Sequence, residues 1–222
     1  MKRNTVLSTI ELDKSNRELF KKNNIDVIEH NFIKISKVDF ELPSQKGSWI
    51  FTSKNSVEAV YSSNQMEKCN KMPHYCVGEK AKSLLRKNGQ KIIKMTKNSL
   101  ELANYIKKKA KNDNFIYCRG SIENKLLSDF FKTNKISLQQ VPVYKTKLVP
   151  KRIEKAVNAI MFFSPSAIKS YEKNNSIGKS FCFCIGKTTS SFAKEFTKKT
   201  YCTNNPSIEN VVKQTINFLN NE

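Results

Sequence analysis

Val141-Pro142-Val143-Tyr144-Lys145-Thr146-Lys147-Leu148-Val149-Pro150 alternates apolar and polar side chains, the period of a half-buried strand. Prolines at 142 and 150 lack the N–H that an interior strand would use, so the segment reads as an edge or connecting strand. An earlier stretch, His30-Asn31-Phe32-Ile33-Lys34-Ile35-Ser36-Lys37-Val38-Asp39-Phe40, alternates in the same way and runs into a polar loop holding Pro43, Ser44 and Gly47. The two ribbons enclose a block of roughly a hundred residues, about one domain in size. Two crossings between the same two domains are therefore expected. Residues 1–35 plus 148–222 would form a first domain, 39–141 a second, and 36–38 and 142–147 the linker strands. Tyr144 would then sit where the domains face each other.

Working outward from the ribbons, short apolar runs alternate with helical patterns. Val6–Thr9, Trp49–Thr52, His74–Gly78, Ile92–Ile93, Phe115–Cys118, Ala159–Phe163 and Phe181–Ile185 read as buried strands. Helices are expected at 14–23, after Ser56, at 79–88, from the Asn98/Glu101 capping-box spacing to about Lys111, at 123–132, after Ser166 and beyond Thr189. Arg119-Gly120-Ser121 reads as the end of a strand, and Phe196 as part of the helix beyond Thr189. Asn205-Pro206 predicts an N-cap with proline at the first position of a closing amphipathic helix. This order predicts an α/β fold of two interleaved domains with largely parallel sheets, joined by a two-stranded linker. An internal repeat supports it: Phe51–Val57 matches Phe162–Ile168, and Cys76–Lys80 matches Cys184–Thr188 at nearly the same separation.

Composition narrows the function. The 222 residues carry 40 Lys plus Arg against 19 Asp plus Glu, a formal charge of +21, so an anionic partner is expected. The lysines are spread along the whole chain, and no RNP-like, zinc-finger or basic-zipper pattern accompanies them, which argues against nucleic acid. The basic start at Met1-Lys2-Arg3 is followed by too short an apolar run for a secretory leader, and no window reaches the roughly 20 apolar residues of a membrane span. A cytoplasmic protein follows. Six cysteines without a C-x-x-C pair read as reduced core thiols, and two histidines, His30 and His74, give no metal-ligand spacing.

In open parallel sheets ligands bind beyond the carboxyl ends of strands. Those ends carry Thr52, Ser53 and Asn55; Gly78 and Lys80; Arg119 and Gly120; Ser164 and Ser166; and Gly186, Lys187, Thr188 and Thr189. Hydroxyls, glycines and backbone N–H groups beside basic side chains suit anionic groups, although any one Ser or Thr there is also an ordinary helix cap. Six glycines, at 47, 78, 89, 120, 178 and 186, supply neither a G-x-G-x-x-G fingerprint nor a P-loop, and there is no G-x-S-x-G elbow. Tyr117, Tyr144 and Tyr171 remain as proton donors at neutral pH.

Six segments, in order, resemble uroporphyrinogen-III synthase: Ile50–Val57, Val77-Gly78 with Leu84–Gly89, Arg119-Gly120, Val143–Thr146, Phe163–Ala167 and Ile185–Thr189. The resemblance covers nearly the whole chain. It implies two α/β domains joined by a two-stranded linker with the active site in the cleft between them. The implied reaction, in haem and porphyrin biosynthesis, is a lyase reaction that cyclises hydroxymethylbilane, a linear tetrapyrrole with carboxylate arms. It yields uroporphyrinogen III with loss of water and inversion of the last pyrrole ring. The family uses no cofactor. Its conserved tyrosine falls on Tyr144 and its second-half threonine on Thr189. Two departures stand out: Ala81 occupies the first-half threonine position, and Ser8-Thr9-Ile10 replaces the Thr-Arg of many bacterial members. Backbone N–H groups remain at both. A monomer is expected. The rival readings are a non-catalytic two-domain anion-binding protein and a basic nucleic-acid-binding module.

Overall fold

The computed structural model describes residues 3–122 and 125–221. The chain folds as two compact units, Met1–Lys34 with Lys147–Glu222, and Ile35–Thr146. The first unit holds β1 (Thr5–Ser8), α1 (Lys14–Lys22), β2 (Asp26–Glu29), β9 (Ala159–Phe162), α6 (Pro165–Tyr171), β10 (Phe181–Cys184), α7 (Lys187–Ala193), β11 (Thr200–Cys202) and α8 (Ile208–Asn220). The second holds β4 (Ser48–Phe51), α2 (Lys54–Tyr61), a 3₁₀ turn at Met66–Cys69, β5 (His74–Val77), α3 (Glu79–Lys87), β6 (Ile92–Thr96), α4 (Ser99–Lys109), β7 (Phe115–Gly120) and α5 (Lys125–Thr133). β3 (Ile33–Lys37) and β8 (Leu138–Leu148) are the strands at which the division falls.

One sheet has the order β11-β10-β9-β1-β2, the other β3-β8-β7-β4-β5-β6. Pairings within the β11-to-β2 sheet and from β8 through β6 are parallel, as strand–helix–strand crossovers require. Read from the other end, β6-β5-β4-β7-β8 reproduces β11-β10-β9-β1-β2. The repeat is thus permuted: β9–α6–β10–α7 corresponds to β4–α2–β5–α3, and β1–α1–β2 to β7–α5–β8.

Both sheets are covered on both faces, so the central strands are apolar without interruption. In β4 the period of two sends Trp49 and Phe51 into one cluster with Val57, Val60 and Leu85, and Ile50 into another with Leu102, Ile106, Phe115 and Phe131. In β9, Ala159 and Met161 meet Phe20, Phe183 and Val211, while Ile160 and Phe162 meet Leu7, Ile168 and Tyr171. The cysteines are free, and all but Cys202 are buried. Burial pushes the thiol of Cys76 up to about 11 and that of Cys182 to about 12, so both stay protonated.

Several local expectations need correction. β7 runs through Arg119 and Gly120 rather than ending before them, because β8 continues alongside and pairs with both. β8 is not an edge strand: β3 lies outside it, and Ser36 Oγ donates to Lys145 O at 3.5 Å. Pro142 is accommodated because the register shifts there, Arg119 facing Pro142 and Gly120 facing Tyr144, an irregularity of the kind that tolerates a missing N–H. Of the first ribbon, expected over 30–40, only β3 (Ile33–Lys37) is strand, and β2 is a separate strand before it. α7 stops at Ala193, leaving Phe196 outside it and exposed. The closing helix is capped by Ser207, whose side chain accepts from Asn210 N–H, so Asn205-Pro206 lies in the loop before it. Glu123, the expected first residue of α5, lies outside the described residues.

Candidate functional site

Parallel strands bring their carboxyl ends to one edge of each sheet, and every residue singled out from the sequence as a binding candidate lies at such an edge. In the second unit the edge carries Thr52, Ser53 and Asn55 after β4, Gly78 and Lys80 after β5, Arg119 and Gly120 at the end of β7, and Tyr144 on β8. In the first unit it carries Ser164 and Ser166 after β9, and Gly186, Lys187, Thr188 and Thr189 after β10. The structure separates these by what their polar atoms already do.

Ser53 and Ser164 are helix caps. Ser53 Oγ accepts from Asn55 N–H at 3.1 Å and Ser164 Oγ from Ala167 N–H at 3.1 Å, with Pro165 opening α6. Glycine begins the next helix of each repeat. Gly78 precedes α3 and Gly186 precedes α7, and neither helix has a side-chain cap. Open space adjoins both glycines, since a Cβ built on either meets nothing within 4 Å. Gly78 also has φ +84°, a left-handed backbone that favours glycine. The third residue of each of these helices is the family-matched threonine position: Ala81 in α3 and Thr189 in α7, both buried. Ala81 thus removes a hydroxyl and leaves the backbone N–H in place. Around these starts the side chains of Asn55, Lys80, Ser166, Lys187 and Thr188 form no hydrogen bond or ion pair among the described residues. Lys80, Lys187 and Thr188 are also exposed. At the other departure, Thr9 Oγ1 donates to Met161 O at 2.7 Å and Ser8 Oγ to Ile10 O at 2.6 Å, so these hydroxyls serve the backbone.

The three tyrosines differ sharply. Tyr171 donates to Ser176 O at 3.3 Å, and burial, with the Glu172 carboxylate nearby, pushes its phenol up to about 12. It belongs to a cleft of about 950 Å³, lined in part by Arg152, Tyr171 and Asn175, formed by the loops that enter β9 and β10. That is the amino edge of the sheet, away from the strand ends described above. Tyr117 is 4% exposed, and its hydroxyl lies 2.8 Å from Thr52 Oγ1. Tyr144 is half-buried, and its hydroxyl has no hydrogen-bond partner among the described residues. Its ring lies on Gly120: a Cβ at 120 would come within 2.7 Å of Tyr144 Cε2 and Cζ and 2.9 Å of its hydroxyl oxygen. Beyond the register shift, Ser121 N–H donates to Tyr144 O at 2.8 Å and Thr146 N–H to Ser121 Oγ at 3.3 Å, which fixes the backbone that follows the ring.

Arg119 is half-buried. Its Nε–H donates to Gln140 Oε1 at 2.7 Å and its Nη1 to Gly120 O at 2.8 Å. No carboxylate pairs with it among the described residues. Gln140 is a residue that sequence reasoning did not single out. Its place beside the site depends on β7–β8 register, Tyr117 facing Gln140, which no local motif encodes. Among the described residues no three His, Cys, Asp or Glu side chains gather as a metal-ligand set, and no helix is long and apolar enough to cross a membrane.

Solved structures share this architecture. The uroporphyrinogen-III synthetase of Helicobacter pylori matches with a TM-score of 0.69 at 18% identity, over 98% of this chain and 100% of that one. A mutant uroporphyrinogen III synthase of Thermus thermophilus matches at 0.73 and 13% identity, over 99% and 100%. The wild-type Thermus enzyme in another crystal form matches at 0.55 and 12% identity, over 98% of each chain. A search of curated proteins gives no significant match. At such identities the structural likeness speaks for the fold alone. The family described as uroporphyrinogen-III synthase HemD, however, matches residues 14–213. With nine-tenths of its sequence inside that match, the chain belongs to the uroporphyrinogen-III synthase family.

Proposed function

We propose that this chain converts hydroxymethylbilane to uroporphyrinogen III, with Tyr144 as the proton donor to the departing hydroxyl. The observation that carries the assignment of Tyr144 is the hydroxyl of this half-buried residue, free of protein partners among the described residues, on a ring seated against Gly120 at the carboxyl edge of the sheet. A phenol is protonated at neutral pH. It can therefore give its proton as the substrate's C–O bond breaks, so that the hydroxyl leaves as water and a cationic azafulvene remains. Inversion of the last ring then needs a bond broken as well as bonds formed. The azafulvene carbon bonds to the substituted α-carbon of the last ring, the bond from that α-carbon to its original bridge breaks to leave a second azafulvene, and the ring's free α-carbon closes on this with loss of a proton.

The remaining contribution is positional. A flexible linear tetrapyrrole loses much conformational freedom on closing, and holding its arms in place lowers that entropic cost before the chemical step. The carboxylate arms suit the open N–H groups that follow Gly78 and Gly186, with Lys80, Lys187, Thr188 and Asn55 beside them. Thr52, Ser166 and Arg119 extend the same surface. Thr189 serves through its backbone N–H and its hydroxyl. Ser53 and Ser164 contribute by capping the helices that carry these groups, and Gly120 by seating Tyr144. The enzyme works as a cytoplasmic monomer without added cofactor.

The test supplies hydroxymethylbilane to the purified protein and separates the products by chromatography. Isomer III in excess over the spontaneously formed isomer I supports the reading, and isomer I alone overturns it. A protein that bound the substrate without turnover would instead be a non-catalytic anion-binding protein.

A further inference from the structure

We infer that Gln140 is a positioning residue that holds the Arg119 guanidinium ready for a carboxylate arm of the substrate, a role that rests on the synthase reading above. Arginine has only donors, so the accepting atom of Gln140 must be Oε1, 2.7 Å from Arg119 Nε. In register Gln140 faces Tyr117, and Arg119 faces Pro142, which cannot offer an N–H. Gln140 therefore reaches diagonally along β8 to meet the arginine. On its other side Nη1 donates to Gly120 O at 2.8 Å, which ties the guanidinium to the last residue of β7. With Nε and one Nη1 hydrogen engaged, one Nη1 and two Nη2 hydrogens are left, enough to give a carboxylate two hydrogen bonds.

The chemistry of the holder matters as much as its place. A half-buried guanidinium without an anion is unusual, because burying an uncompensated charge is costly. Arg119 has no acidic partner among the described residues, although the chain forms ion pairs elsewhere, such as Arg17 with Glu29 at 2.8 Å. A neutral amide fixes the group's direction without cancelling its charge. A glutamate at 140 would hold Arg119 at least as firmly but would neutralise it.

The experiment measures isomer III formation, KM, kcat and Tm for the wild type, Gln140→Leu, Gln140→Glu, Arg119→Ala and the double variant Arg119→Ala/Gln140→Leu. If the wild type forms no isomer III, the synthase reading itself falls and this inference with it. Given an active wild type, Gln140→Leu should raise KM about five- to tenfold with kcat changed less than about twofold, and the double variant should be no worse than Arg119→Ala. Gln140→Glu should raise KM at least as much as Gln140→Leu with no loss of Tm, a result that a packing role cannot give. An unchanged KM in either single variant overturns the positioning role and leaves the synthase reading standing. So does a KM loss that adds to that of Arg119→Ala. Should Gln140→Leu fail to fold, the Gln140→Glu comparison decides alone.

Discussion

Tyr144→Phe keeps the ring on Gly120 and removes one oxygen, so it isolates the proton donor from the packing. We expect kcat to fall by about 100-fold with KM and Tm nearly unchanged, the pattern of a group that acts only as the leaving oxygen departs. Tyr171→Phe is the control. Its hydroxyl is committed to Ser176 O on the other edge of the other sheet, and its loss should cost stability without touching turnover. A kcat for Tyr144→Phe equal to the wild type would remove Tyr144 from the chemistry. Gly120→Ala tests the seat: a methyl 2.7 Å from the ring must push Tyr144 aside, and kcat should drop by about tenfold or more even though nothing reactive has been changed. Full activity in that variant would show that the position of the ring does not matter. Tyr144 itself was legible in the sequence, from the alternation around it and from the family match. Its seat was not, because Gly120 meets Tyr144 only through the register shift between β7 and β8, which depends on residues far apart in the chain.

The helices that follow the strand ends divide into two kinds, and the division predicts how their variants behave. Ser164 spends its hydroxyl on Ala167 N–H, so Ser164→Ala should destabilise by about 1 kcal/mol, a few degrees in Tm, and leave KM within about twofold. Lys187, exposed at the start of glycine-capped α7, shows the reverse logic. A cation there opposes the helix dipole, so Lys187→Ala should leave Tm unchanged or slightly raised while KM for hydroxymethylbilane rises about threefold or more. Thermal melts and Michaelis curves on the two proteins decide the matter, and a KM effect confined to Ser164→Ala would reverse the assignment. Strand–turn–helix units were readable because a run such as Ala159–Phe162 is wholly apolar and ends in Ser-Pro-Ser. β11 was not, since Thr200-Tyr201-Cys202 is three residues long within a polar stretch and is defined by its pairing with β10. The cap of α8 was misplaced for a related reason. Asn205-Pro206 and Ser207 both carry start signals, and only the bond from Asn210 N–H to Ser207 Oγ distinguishes them.

At the scale of the molecule, the permuted repeat gives each unit a largely parallel sheet buried on both faces, and burial imposes a pH dependence that no sequence motif announces. His74 is fully buried on β5, stacked 5.8 Å from the Phe51 ring. Its Nδ1–H donates to Met72 O at 2.7 Å, which leaves Nε2 to accept from Tyr61 Oη–H at 2.7 Å. The neutral ring is thus satisfied on both sides, and burial depresses its pKa from 6.5 to about 4. Between those values the unfolded chain holds a proton that the folded chain does not. Stability therefore rises with pH through the window: His74's contribution is complete above about pH 6.5, is lost as pH falls toward 4, and amounts to about 3 kcal/mol. Acidification also raises the net charge above +21 as carboxylates take up protons, and that self-repulsion acts in the same direction. Salt separates the two, because it screens exposed charges far better than it relieves the desolvation of a buried imidazolium. In about 0.5 M salt, at which repulsion between surface charges is largely screened, urea midpoints should still fall between pH 7 and pH 4.5 for the wild type. For His74→Gln, less stable overall, the slope should be markedly flatter. Equal slopes in the two proteins would mean that His74 does not set the acid limit of this fold.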